Sequence, residues 1–351
     1  MKKIITVLLV VALLFSMAAC SGTSAKNDKF VGISMPTQDL QRWNQDGANM
    51  KDKFETAGYK VDLQYANNEV NTQVSQIENM ISAGVKVLVI AAIDGKTLTA
   101  VLATAKTAGI YVIAYDRLIM DTDAVSYYCT FDNYMVGTIQ GQYIESALKL
   151  ADGGKYNIEI TAGDPADNNA LFFYQGAMDV LQKYIDSGVL TVVSKQVKFD
   201  EVATAAWSTE TSQARMEALL ASFYADGTQL DACLCSNDST AKGVTNALAS
   251  SYTGKYPIVT GQDCDIANVK DIIAGKQSMS IFKDTRTLAA QTVTMASDLL
   301  SGKTPEVNDT KTYDNGTGII PTFLCKPVFA DVNNYKELLI DSGYYTADQL
   351  K

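Results

Sequence analysis

The chain has 351 residues, 29 basic against 39 acidic and no histidine, for a net charge of −10. Its length exceeds what one hydrophobic core usually organises, so two domains are expected. The acidic balance repels phosphates and anionic headgroups and excludes nucleic acid as a partner, and the lack of histidine excludes any histidine-dependent triad.

Residues 1–20 read as an export leader. Met1, Lys2 and Lys3 give a cationic start, residues 4–17 an almost unbroken apolar run, and Ala18-Ala19-Cys20 a small-residue exit ending in a thiol. The run is short for a bilayer span and its exit suits a peptidase, so the leader is expected to be removed. Cysteine at the cut resembles a bacterial lipobox, in which the thiol takes a diacylglyceryl group and becomes the new N-terminus. Two acyl chains anchor stably where one does not. Residues 21–29 read as a flexible tether. The expectation is a protein outside the cytoplasm, touching the cell membrane only through lipidated Cys20.

From residue 30 a short β-branched run, a polar turn and an amphipathic helix recur. The pattern predicts strand 30–35, helix 40–57, strand 61–65, helix 73–83, strand 85–92, helix 97–108 and strand 110–115. It restarts with strand 156–161, helix 170–185, strand 190–197, helix 211–224, strand 230–235, helix 241–249 and strand 256–260. Strands alternating with helices at this spacing imply parallel sheets covered on both faces. The fully apolar run Val87-Leu88-Val89-Ile90-Ala91-Ala92 fits a central strand. The fold class expected is α/β with two Rossmann-like parallel-sheet domains. Besides Cys20 there are Cys129, Cys233, Cys235, Cys264 and Cys325. An odd number cannot pair completely within the chain, and most follow apolar runs, so buried free thiols are expected. Cys233 and Cys235 merely share a strand face, which reads as core filling. No metal and no cofactor are expected.

The two halves match in where their carboxylates fall. Asp94 and Asp116-Arg117 end strands of the first half; Asn237-Asp238 and Gln262-Asp263 do so in the second. In open parallel sheets ligands bind beyond the carboxyl ends of the strands, and two such crevices face to face make a cleft. Each motif has an ordinary alternative. Asp94-Gly95 and Asn237-Asp238 suit turns or helix N-caps, and Asp116-Arg117 suits a surface ion pair. Repetition at equivalent points favours a ligand. A sugar needs this set, because each hydroxyl both donates and accepts, so carboxylates and amides must alternate with Arg or Lys donors. Trp43 and Trp207, the two tryptophans, offer flat faces for the CH side of a ring and a polar edge; for Trp43, packing at a helix start is an equal alternative. One of Asn168 and Asn169 caps the following helix and the other faces the crevice. Lys283 projects near the edge of the second domain, where solvation is the ordinary alternative.

Taken in order, Ser34-Met35-Pro36, Arg42-Trp43, Tyr115-Asp116-Arg117, Phe131-Asp132-Asn133, Asp167-Asn168-Asn169-Ala170, Ser236-Asn237-Asp238, Gly261-Gln262-Asp263 and Asn308-Asp309-Thr310 resemble the type I periplasmic binding proteins. The likeness is to their xylose-binding and multiple-monosaccharide-binding branch and covers residues 30–351. It implies two lobes joined by a three-strand hinge that close over a sugar handed to an ABC importer. Crossings are expected near 131–133, 282–284 and 311–313. The N-terminal lobe would then be residues 30–131 plus 284–311, and the C-terminal lobe 132–283 plus 312–351. The site implied is Arg42, Trp43, Asp94, Asp116, Arg117, Asn168, Asn169, Trp207, Asn237, Asp238, Asp263 and Lys283, with Trp207 as the stacking aromatic. The ligand implied is an aldopentose or aldohexose of the xylose, glucose, galactose or arabinose class. Its partners are that sugar and an ABC permease, and the chain acts as a monomer and not as an enzyme. A sensor feeding a chemoreceptor or sensor kinase would use the same closed form. An exported glycoside hydrolase would need two carboxyls about 5 Å apart, one with a raised pKa, whereas most aspartates here have a cationic or amide neighbour.

Overall fold

The computed structural model describes residues 29–351. The leader and Cys20 lie outside the described residues. One lobe opens with β1 (Phe30–Met35), α1 (Gln41–Thr56), β2 (Lys60–Tyr65), α2 (Val70–Ser82), β3 (Val87–Ile90), α3 (Thr99–Thr107), β4 (Tyr111–Tyr115) and β5 (Tyr127–Phe131). The chain then crosses into α4 (Asn133–Ala147), β6 (Tyr156–Thr161), α5 (Asn169–Asp186), β7 (Leu190–Val192) and α6 (Thr209–Phe223). The second lobe continues through β8 (Ala232–Cys235), α7 (Asp238–Ser251), β9 (Ile258–Val259), α8 (Ile266–Ile273) and β10 (Met279–Phe282). α9 (Thr285–Leu300) returns to pack on α1, β11 (Thr322–Cys325) joins the first sheet, and β12 (Val328–Asp331) goes back to the second.

The fold is α/β with a parallel sheet in each lobe. The first sheet runs β11-β5-β4-β3-β1-β2 with every pair parallel. Its central strand shows the two-residue alternation of a doubly covered sheet. Val87 and Val89 face the core that holds Trp43 and Phe54, while Leu88 and Ile90 face the one that holds Ile77 and Leu102. The second sheet runs β7-β6-β8-β9 in parallel. A bridge between Gln262 and Ile281 carries β10 alongside it, and β12 closes the edge antiparallel to β10.

Two expectations need correction. The third crossing falls after Cys325, not near 311–313. Phe323 pairs with Cys129 in the first sheet, and Tyr313 packs edge-on against Tyr128, ring centroids 5.2 Å apart. Residues 312–325 therefore belong to the N-terminal lobe. The strand predicted over 190–197 stops at Val192, where the backbone turns and Lys195 adopts φ 62°. The five cysteines among the described residues are free and buried.

Candidate functional site

Between the lobes lies a cavity lined by side chains of both. Leu40, Arg42, Trp43, Asp116 and Arg117 line it from the first lobe; Asp167, Phe173, Trp207, Asn237, Gln262 and Asp263 line it from the second, with Lys283 at the second crossing. The placement follows from the topology. Arg42 and Trp43 stand in the first turn of α1, Asp116 and Arg117 directly after β4, Asp167 and Phe173 around the start of α5. Asn237 follows β8 and Asp263 follows β9. All are at the carboxyl edges of the sheets, where open α/β folds collect ligands.

Charges alternate around the cavity. Arg42 Nε and Nη2 donate to Asp46 Oδ2 at 3.0 and 2.9 Å. Its Nη2 is 3.0 Å from Asp116 Oδ1, and its Nη1 reaches across the cleft to Asp263 Oδ1 at 3.3 Å. Lys283 Nζ lies 3.2 Å from Asp263 Oδ1 and 3.6 Å from Asp116 Oδ1. Arg117 Nε lies 3.1 Å from Asp167 Oδ2, also across the cleft, while Nη1 donates to the carbonyls of Ala92 and Ile93 at 3.0 and 3.3 Å. Both guanidinium groups rest on Trp43, 4.4 and 5.1 Å from its ring. Buried charges persist only when paired in this way.

The pairing decides protonation. Burial alone would raise the Asp116 carboxyl, but Arg42, Lys283 and Arg117 outweigh it and hold the group below the ordinary carboxylate range. It is therefore an ionised acceptor at neutral pH. Arg42 is lowered by burial, yet Asp116, Asp46 and Asp263 push it well above its usual value. Behind Arg42, burial lifts Asp46 to about 6 against the pull of that same guanidinium, and the Tyr115 hydroxyl donates to its other oxygen.

The backbone at the cavity is strained. Asp116, Trp207 and Asp263 adopt φ of 58°, 56° and 99°, conformations that cost on the order of 1–3 kcal/mol each outside glycine. The Asp116 carbonyl is held by the hydroxyls of Tyr128 and Thr130 and by the Asn169 amide of the opposite lobe. Trp207 presses on Gly163 so closely that a Cβ there would sit 1.9 Å from the indole ring. Trp43 Nε1, Trp207 Nε1 and Gln262 Oε1 are buried with no hydrogen-bond partner among the described residues. Asp116 Oδ1 and Arg117 Nε face opposite charges without hydrogen-bond alignment. Each unpaired buried group costs about 1–3 kcal/mol, a cost that a polar ligand in the cavity would offset.

The structure brings together Arg42, Trp43, Asp116, Arg117, Trp207, Asn237, Asp263 and Lys283. It does not bring the other four expected residues into the lining. Asp94 is half-buried and its carboxylate accepts from Lys96 N at 2.8 Å, closing a turn. Asn168 stands just before α5 outside the lining, and Asn169 is spent on Tyr128 and the Asp116 carbonyl. Asp238 lies behind the wall, accepting from Gln277 Nε2 at 2.9 Å, Ser280 Oγ at 2.8 Å and Asp265 N at 2.8 Å. Burial, with Asp265 beside it, pushes its carboxyl well up. Asn237 caps α7 through Oδ1, which leaves its amide NH₂ available to the cavity. Asp167, Phe173, Gln262 and Leu40 also line the cavity but were not among the expected site residues. The need of Arg117 for a carboxylate on the facing lobe was the signal for Asp167, and capping preference drew attention to the asparagines beside it instead.

Residues 31–304 match the periplasmic binding protein domain family. A multiple sugar-binding periplasmic protein of Azospirillum brasilense, SbpA, is 51% identical over 97% of this chain and 96% of its own. The D-xylose-binding periplasmic protein of Escherichia coli is 36% identical over 99% of both. An ABC transporter solute-binding protein from Clostridium phytofermentans, solved with bound β-D-glucose, is 69% identical, with a TM-score of 0.91 over 92% of this chain and 100% of that one. The fold, the cleft and these likenesses agree: the chain belongs to the periplasmic binding protein domain family, in its xylose- and multiple-sugar-binding branch.

Proposed function

We propose that the chain is a monomeric, lipid-anchored monosaccharide-binding protein that closes over an aldopentose or aldohexose and delivers it to an ABC importer. The observation that carries this reading is the cavity shared by both lobes, where carboxylates alternate with Arg42, Arg117 and Lys283 and two indole NH groups stand unpartnered. Hydroxyls of a single sugar ring would accept from the cations and indoles and donate to Asp116 and Asp263. Trp43 and Trp207 would supply apolar faces. The β-D-glucose bound to the Clostridium phytofermentans relative supports an aldose as the ligand.

Arg42 and Arg117 each pair with a carboxylate of the opposite lobe, so sugar and ion pairs favour the same closed arrangement. A ligand that gains contacts only there shifts the population toward it, and the closed face is the one a permease would read. The lipobox-like Cys20 would tether the lobes near that permease. A hydrolytic reading needs a carboxylic acid at the scissile bond; the depressed Asp116 suits accepting bonds from an unreacted sugar.

Calorimetric titration with D-xylose, D-glucose, D-galactose and L-arabinose tests the proposal. One-site binding at micromolar or tighter affinity to at least one is expected; no heat with any of the four rejects it. In cells, the chain should incorporate labelled palmitate and the Cys20→Ala variant should not.

A further inference from the structure

Tyr345 does not touch the cavity. It is buried in the second lobe's core with Cys264, Val269 and Leu350. Its hydroxyl donates to the Cys264 carbonyl at 2.9 Å and accepts from Gln41 Nε2 at 2.7 Å and Gln45 Nε2 at 3.2 Å. A phenol has one hydrogen and two lone pairs, so the group is saturated, and two of its three partners come from the other lobe. Burial, with Tyr344 beside it, pushes the hydroxyl far above its ordinary value, so it remains a donor. The same glutamines make two further bonds across the cleft: Gln41 Oε1 accepts from Ile266 N at 3.1 Å, and Gln45 Oε1 accepts from the Tyr344 hydroxyl at 3.1 Å.

The position of this cluster gives it a purpose. Gln41 precedes Arg42, and Cys264 follows Asp263, so the bonds lie one residue behind the ion pair that spans the cavity. Asp263 and Cys264 have φ of 99° and 53°, a strained pair whose released carbonyl would relax without the clamp. Separating the lobes breaks every Gln41 and Gln45 bond to the second lobe at once, and both glutamines are half-buried, so water replaces those partners when they part.

We propose that Tyr345 is a positioning residue for ligand retention: with Gln41 and Gln45 it latches the closed form from outside the cavity and holds the backbone that presents Asp263. This rests on the sugar-binding reading of the cleft. Because the latch exists only when the lobes are shut, it acts on escape of the ligand and not on its entry or selection.

Stopped-flow kinetics with D-glucose and D-xylose test this. Tyr345→Phe is expected to raise the dissociation rate of either sugar about tenfold, the effect of one or two lost hydrogen bonds, with the association rate within about twofold and the preference between the sugars unchanged. Gln41→Ala should do the same from the other lobe, and keeps the test alive if the tyrosine variant folds poorly. The double variant should dissociate faster than either single one but by clearly less than the product of the two effects, since the Gln41–Tyr345 bond is lost in both. A dissociation rate equal to wild type, a change confined to association, or fully multiplicative effects in the double variant would overturn the latch while leaving the sugar-binding reading intact. A wild-type protein that binds none of the four monosaccharides overturns both.

Discussion

Asp263 and Asp238 show how one residue type at one kind of position takes two jobs. Asp263 faces the cavity with Arg42 and Lys283; Asp238 binds Gln277, Ser280 and the Asp265 amide behind it. Asp263→Ala should therefore weaken sugar binding by about 3 kcal/mol, over a hundredfold in Kd, by removing a charged acceptor for the sugar and one carboxylate partner from each of two buried cations. Asp238→Ala should cost the fold about 2 kcal/mol in urea denaturation by leaving its donors unmet, with a smaller effect on affinity. Equal affinity losses would refute the division. Both aspartates were legible as strand-end carboxylates, but their directions were not. Asp116 and Asp263 sit on a backbone flipped to positive φ. Asp238 instead opens a helix behind its cap Asn237, and local sequence does not say which strand end flips.

Among the elements, strands and helices of the alternating pattern were largely readable, because a covered parallel sheet imposes strong apolar periodicity. α4 was not. Gly137 and Gly141 lower helix propensity, yet the structure gives them a reason. A Cβ on Gly137 would lie 1.9 Å from the Phe173 carbonyl oxygen, and one on Gly141 2.9 Å from that of Ala177, so α4 meets α5 backbone to backbone. Gly137→Ala is expected to pry the helices apart and lower stability by about 2–3 kcal/mol, measured by urea denaturation; a midpoint within error of wild type would show that the helices yield freely. Since α5 also carries Phe173, affinity should fall with it. β11 was visible as an apolar run, but its lobe depends on pairing with β5 far back in the chain, which no local pattern encodes.

At the scale of the whole molecule, burying so many carboxylates ties stability to pH. Asp46 is fully buried and lifted to about 6. Its folded value lies above its unfolded one, so its contribution is complete below about pH 4 and is lost as pH rises through 6. Asp265, raised by burial and by Asp263 to about 7, extends the same decline. Asp116, held low, works in the opposite sense only below its ordinary value of 3.8. The thermal midpoint of the ligand-free protein should therefore fall between pH 4 and 7, with Asp46 accounting for roughly 3 kcal/mol at most. Asp46→Asn should flatten the part between 4 and 6; an unchanged profile would assign the slope elsewhere.

The three passages of the chain between lobes also govern its biosynthesis. β11, at residues Thr322–Cys325 of 351, completes a sheet begun at Phe30. A nascent polypeptide leaving the ribosome lacks that last strand, and the core closed by Tyr313, until almost all of it has been made. Domains generally fold as units, and β12, which closes the other sheet, comes later still, so neither lobe can take its final shape until nearly the whole chain has been made.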